Sequence, residues 1–82
     1  MSQAEITANI IITEQQHIEE LRMHIKDLYQ QVSDGLMASG NVVTKDIENL
    51  YKEIDASFNK KSKYEQNVLA LKRQIFKELG VL

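Results

Sequence analysis

The sequence has 82 residues, with no Pro, Cys or Trp and only three Gly. A chain of this length forms one domain at most and has little interior to bury. The absence of Cys excludes a disulfide framework and thiolate chemistry. The formal net charge is −2, so the chain as a whole is not the polycation typical of nucleic-acid-binding proteins. Because almost nothing in this composition interrupts helices, we expect a single all-α domain over 1–82.

The first residues support two interpretations. Ser2 and Glu5 have the spacing of a capping box, which predicts a helix that begins near residue 3. Residues 6–13, however, are mostly β-branched, and β-branched residues favour a strand. In the second interpretation, residues 1–12 form an extended arm and the helix begins near Glu14.

The first helix is expected to continue to about residue 38. From 14 to 37 the apolar residues recur every 3.5 positions, which is the spacing of helices that pack lengthwise. Tyr29 and Leu36 widen this stripe to a face that is more typical of a bundle than of a two-stranded seam. Gly40 and Asn41 then tolerate the left-handed conformation that ends a helix. The two columns are Ile11, Ile18, Ile25 and Val32, and Glu14, Leu21, Leu28 and Gly35.

A turn at 39–44 and a second helix over about 45–79 follow. The polar segment 59–63 again leaves two interpretations, because the column spacing passes through it without a skip but no apolar residue supports it. One is a continuous helix, and the other is a break that gives a three-helix arrangement. Gly80 is expected to end the helix, with Val81 making the apolar contact of a Schellman motif. The two columns are Ile47, Ile54, Lys61, Val68, Ile75 and Leu82, and Leu50, Ser57, Tyr64, Leu71 and Glu78.

A long helical hairpin satisfies both pairs of columns. Thr44 supplies an N-cap hydroxyl for the second helix, and the short turn before it is typical of an αα-hairpin. Folding the chain about residue 41 places position n opposite position 82 − n. Leu28 then lies near Ile54, and Ile18 lies near Tyr64.

A hairpin buries only one side of each helix. Ile10, Ile12, Leu69 and Phe76 fall outside the columns, near the open end, and are expected to form an apolar patch that a partner covers. A second copy of the chain would cover it economically, so the predicted assembly is a homodimeric helical bundle. A different protein is the other partner that we expect for this patch.

The sequence offers little for catalysis or metal binding. His17 and His24 share one helix stripe but are about 10.5 Å apart along the axis. That separation is too large for both to bind one zinc ion. Residues 35–40 lack the ending of a phosphate-binding loop. We therefore expect no enzymatic activity, no cofactor and no metal site.

The predicted function is that of a small non-enzymatic protein–protein interaction module, acting as an adaptor, a regulator or an assembly chaperone through apolar helix faces. The alternative is a dimeric nucleic-acid-binding regulator that uses the basic cluster Lys60, Lys61 and Lys63. An acidic first half, and the lack of aromatic residues among these lysines, weigh against it. No apolar run approaches the roughly 20 residues that cross a bilayer. We expect a cytoplasmic location, in a bacterium or in a host cell if a phage encodes the chain.

Overall fold

The chain forms two long helices that pack side by side as a hairpin, in a computed structural model that describes residues 2–80. Helix α1 spans Gln3–Ala38 and helix α2 spans Lys45–Glu78. The longest dimension of the hairpin is 59 Å. The predicted all-α helical hairpin is therefore confirmed. The expectations for Val81 and Leu82 concern residues outside the described part.

Helix α1 begins directly after its capping residue, Ser2, and includes the β-branched residues 6–13. The Ser2 hydroxyl accepts a hydrogen bond from the Glu5 amide at 3.2 Å. Residues 6–13 are helical, so the extended-arm interpretation is wrong. Thr7 and Ile11 lie four residues apart on one face and are both buried. This packing outweighs the weak local preference of β-branched residues, because helices in proteins gain most of their stability from tertiary contacts.

The turn between the helices uses two left-handed residues in succession. Gly40 and Asn41 both have φ of 67°. The Asn41 amide donates to the Leu36 carbonyl at 2.7 Å, which closes the end of α1. The Thr44 hydroxyl then accepts from the Ile47 amide at 3.3 Å and caps α2, as the sequence predicts.

Helix α2 is continuous through 59–63, so the three-helix interpretation is wrong. Within this segment Lys61 donates to Glu65 at 2.7 Å, one turn further along the helix. A short polar stretch without Pro or Gly does not end a helix when the helical residues on either side of it pack against the other helix. Gly80, with φ of 73°, donates its amide to the Lys77 carbonyl and ends α2 as expected.

The best-closed part of the core lies beside the turn. Its buried members are Leu28, Val32, Ile47 and Ile54, with exposed fractions of 2–4%. Gly35 allows close packing here, because a Cβ at this position would lie 3.2 Å from Cγ1 of Ile47. Further from the turn, the rings of His17 and Tyr64 stack with centroids 5.1 Å apart. Both contacts agree with the predicted register of the hairpin.

Candidate interaction surface

The hairpin has two lateral faces, one on each side of the seam between its helices. Two grooves run along one of these faces. The groove nearer the turn lies between Tyr29 of α1 and Phe58 of α2, with Arg22 and Lys61 at its rim. The other continues towards the open end, and its lining includes Glu19, Arg22, Glu65, Leu69 and Lys72. We call this side of the hairpin the Phe58 face.

The Phe58 face carries most of the large apolar side chains that remain exposed on α2. Residues seven apart lie on the same side of a helix, so the groove-lining residues locate their neighbours two turns away. Tyr51 precedes Phe58 by seven, Phe76 follows Leu69 by seven, and Leu79 follows Lys72 by seven. On α1, Ile12 precedes Glu19 by the same interval. The exposed apolar residues of this face are Ile12, Tyr29, Tyr51, Phe58, Leu69, Phe76 and Leu79, with exposed fractions of 43–60%.

The opposite side, which we call the His24 face, is mostly polar and is bridged between the helices. His24 Nε2 lies 3.2 Å from Oε1 of Glu53 on the other helix. His17 stacks on Tyr64, and Lys60 lies at the same shallow groove. Polar side chains on this face therefore contact each other across the seam within one hairpin.

The four residues predicted to form an end patch are all at least 44% exposed, but they do not lie together. Ile12, Leu69 and Phe76 belong to the Phe58 face. Ile10 lies two positions from Ile12, a rotation of about 200° around the helix. It lines a different shallow groove, with Ile6 and Glu14. Oε2 of Glu14 is buried there and has no hydrogen-bond partner among residues 2–80.

Two lysines of the basic cluster, Lys60 and Lys63, lie one turn apart on the same side of α2, whereas Lys61 points in another direction. Lys61 lies on the seam column and pairs with Glu65. Lys60 lies at the groove of the His24 face, where Glu20 is a neighbour. Lys63 is exposed three residues beyond Lys60. A continuous basic surface of the kind that tracks phosphates is therefore not formed by these three residues in one hairpin.

A partly buried polar contact joins the helices at the open end. The Thr7 hydroxyl donates to Glu78, at 2.7 Å to Oε1 and 3.2 Å to Oε2. Thr7 is 1% exposed, which makes it one of the most buried residues of the chain. This contact was not among the predicted sites. The sequence feature that could have predicted this contact is the position of Thr7. It lies seven residues before Glu14 and therefore continues the same column into the seam.

Neither helix in the described range contains a stretch long and apolar enough to span a membrane. Within residues 2–80, no three His, Asp or Glu side chains come together in a way that would hold a metal ion. His17 and Glu20 form a separate exposed pair at 3.9 Å within α1.

No protein-family model matches the sequence, and neither the curated proteins nor the solved structures contain a significant match to it. The surface of the hairpin is therefore the basis for any functional assignment.

Proposed function

We propose that this chain is a small non-enzymatic protein–protein interaction module, which acts as an adaptor, a regulator or an assembly chaperone through an apolar helix face. The observation that carries the proposal is the concentration of exposed large apolar side chains on the Phe58 face. Aromatic residues are prominent among them, and aromatic side chains are enriched in the cores of protein interfaces.

The chemistry of this face favours a protein as the partner. Its apolar residues lie on both sides of a middle region that contains Arg22, Glu65 and Lys72, so charges of both signs are interspersed. A membrane-surface helix carries Lys and Arg around its apolar side, and a nucleic-acid surface is uniformly basic. Mixed charge around aromatic and aliphatic side chains is the composition of a protein interface.

The experiment that tests this proposal is affinity capture from the native cell with three forms of the chain. The variant Ile12→Asp/Phe76→Asp places charge on the Phe58 face. The control Ile6→Asp/Ile10→Asp places the same charges at residues that are 41% and 44% exposed, on the His24 face. We expect a bound protein to be lost from the first variant and retained by the second, with circular dichroism showing equal helix content.

Two results would contradict the proposal. One is an identical set of bound proteins for all three forms, which would show that the Phe58 face contributes nothing to binding. The other is a wild-type chain that captures neither a second copy nor any other protein.

A further inference from the structure

We propose that the Phe58 face is covered by a second copy of the chain, so that two hairpins form a four-helix bundle. This inference rests on the proposed function and names the partner of the same face. It differs from the end patch predicted from the sequence, because it includes Tyr29, Tyr51 and Phe58 and leaves out Ile10.

The first argument is the amount of surface that the hairpin leaves exposed. Its accessible surface is 6031 Å², whereas a compact monomer of 9.5 kDa exposes about 5,000 Å². The excess of about 1,000 Å² is close to the roughly 800 Å² that each partner buries in a stable complex. The radius of gyration also shows that the hairpin is far from compact. It is 18.3 Å, whereas a compact domain of this length has a radius of gyration of about 12 Å.

The second argument is the shape of the face. The hairpin measures 59 × 17 × 14 Å, so its broad side offers about 1,000 Å² of surface, enough for one partner's share of a stable interface. Apolar residues occur at both ends of this side. Tyr29, Tyr51 and Phe58 lie towards the turn, and Leu69 and Phe76 lie towards the open end. A second hairpin of the same length sets the apolar regions of one copy against those of the other at both ends of the face.

The third argument is charge complementarity in the middle of the face. Arg22 and Lys72 line the groove there together with Glu19 and Glu65, two cations with two carboxylates. If α1 lies antiparallel to α1 of the second copy, about a twofold axis that crosses the middle of the face, Arg22 comes near Glu19 of that copy. This arrangement sets opposite charges against each other, and a net charge of −2 gives little overall repulsion.

The opposite side of the hairpin is less suited to bind a second copy than the Phe58 face. On the His24 face the polar groups contact each other within one hairpin, through His24 with Glu53 and His17 with Tyr64. Its exposed large apolar residues at the open end are Ile6 and Ile10, which are too few to make a bundle core.

The test is sedimentation equilibrium of three forms at tens of micromolar protein. We expect twice the 9.5 kDa chain mass for the wild type and a single chain mass for Leu69→Asp/Phe76→Asp. The matched control is Ile6→Asp/Ile10→Asp, which changes two apolar residues of similar exposure, also towards the open end, on the His24 face. We expect this control to remain a dimer.

A monomeric wild type would overturn the inference, and so would a dimer that survives Leu69→Asp/Phe76→Asp but not Ile6→Asp/Ile10→Asp. If the double variant loses helix, Leu69→Asp alone replaces it, because this side chain is 54% exposed in the hairpin and supports little of its core. The thermal midpoint of the wild type should also rise with protein concentration, and a constant midpoint counts against the dimer. A monomer whose capture of another protein still depends on the Phe58 face would leave the proposed function standing.

Discussion

The half of the hairpin beside the turn and the half at the open end differ in how completely the seam is closed. Beside the turn, Leu28, Ile47 and Ile54 are each 2% exposed and pack together in one cluster. Towards the open end, Ile18, Leu71 and Ile75 are only partly buried, and the helices are joined there by the polar contact between Thr7 and Glu78. The difference follows from connectivity, because the turn holds the helix ends together only on one side.

This comparison indicates which half stabilises a single hairpin. The turn half supplies most of the fully buried apolar contacts. The exposed apolar side chains of the Phe58 face lie in both halves, with Tyr51 and Phe58 towards the turn and Leu69 and Phe76 towards the open end. Substitutions of buried residues should therefore affect stability mainly in the turn half, whereas substitutions on the Phe58 face should affect assembly in both halves.

The largest effect is expected for Ile54→Ala in the turn half. Removing this fully buried side chain should lower the free energy of unfolding by about 2–5 kcal/mol. Ile11→Ala makes the same chemical change in the open half, where Ile11 is 9% exposed and its surroundings can relax more easily. Urea unfolding at fixed protein concentration should show the smaller loss for Ile11→Ala. An equal or larger loss there would break the proposed division between the halves.

The next effect concerns the contact that joins the helices at the open end. Thr7→Val keeps the shape of the side chain but removes the hydroxyl that donates to Glu78, so the unfolding free energy should fall by about 1–2 kcal/mol. Thr13→Val is the control, since the Thr13 hydroxyl donates to the Asn9 carbonyl of its own helix. We expect the control to stay within about 0.5 kcal/mol of the wild type. Similar losses for both would show that the Thr7–Glu78 contact contributes nothing particular.

Helix caps give a smaller effect that again separates the two ends. Thr44→Ala removes the hydroxyl that accepts from Ile47 and should cost about 1 kcal/mol. Ser2→Ala removes the equivalent cap of α1, at an exposed helix end where the first turn can fray without disturbing the core. Thermal unfolding followed by circular dichroism should show a clear shift for Thr44→Ala and little for Ser2→Ala. The reverse order would mean that the open end limits stability.

The smallest effect is expected for the basic cluster. Lys60→Gln/Lys63→Gln should leave stability within about 0.5 kcal/mol of the wild type, because both side chains are exposed. We also expect no retention of the wild-type chain on heparin at low salt. Strong retention that this double variant abolishes would favour the nucleic-acid-binding alternative over the interaction module.

Much of the fold could be predicted from the sequence, because the heptad columns and the turn at Gly40 and Asn41 constrain a hairpin almost fully. The sequence leaves two segments open between helix and another structure, because their local composition does not favour a helix. Residues 6–13 are β-branched, and residues 59–63 are polar, yet both are helical since neighbouring turns pack across the seam. Local propensity is a weak guide where tertiary contacts decide.

The candidate surface could be predicted only in part. The columns identify the seam, but three consecutive isoleucines at 10–12 obscure which side chain faces which side. The register of the hairpin places Ile10 and Ile12 at the same level of the open end, but residues two apart on a helix point in nearly opposite directions. The sequence analysis does not identify Phe58 as a surface residue. The seven-residue interval from Tyr51 to Phe58 could have shown that both lie on the same side of α2.

The most direct test of the central claim, that the Phe58 face associates with a second copy, uses the absence of native cysteine. Ser62 lines the groove of this face near the middle of α2, so a twofold axis that sets α2 antiparallel to α2 of the second copy brings the two Ser62 residues close. Asn67→Cys, on the other side of α2, is the control. With a short bismaleimide cross-linker, we predict a covalent dimer for Ser62→Cys and only a trace for Asn67→Cys. Equal cross-linking of the two variants, or none for Ser62→Cys, would contradict the account.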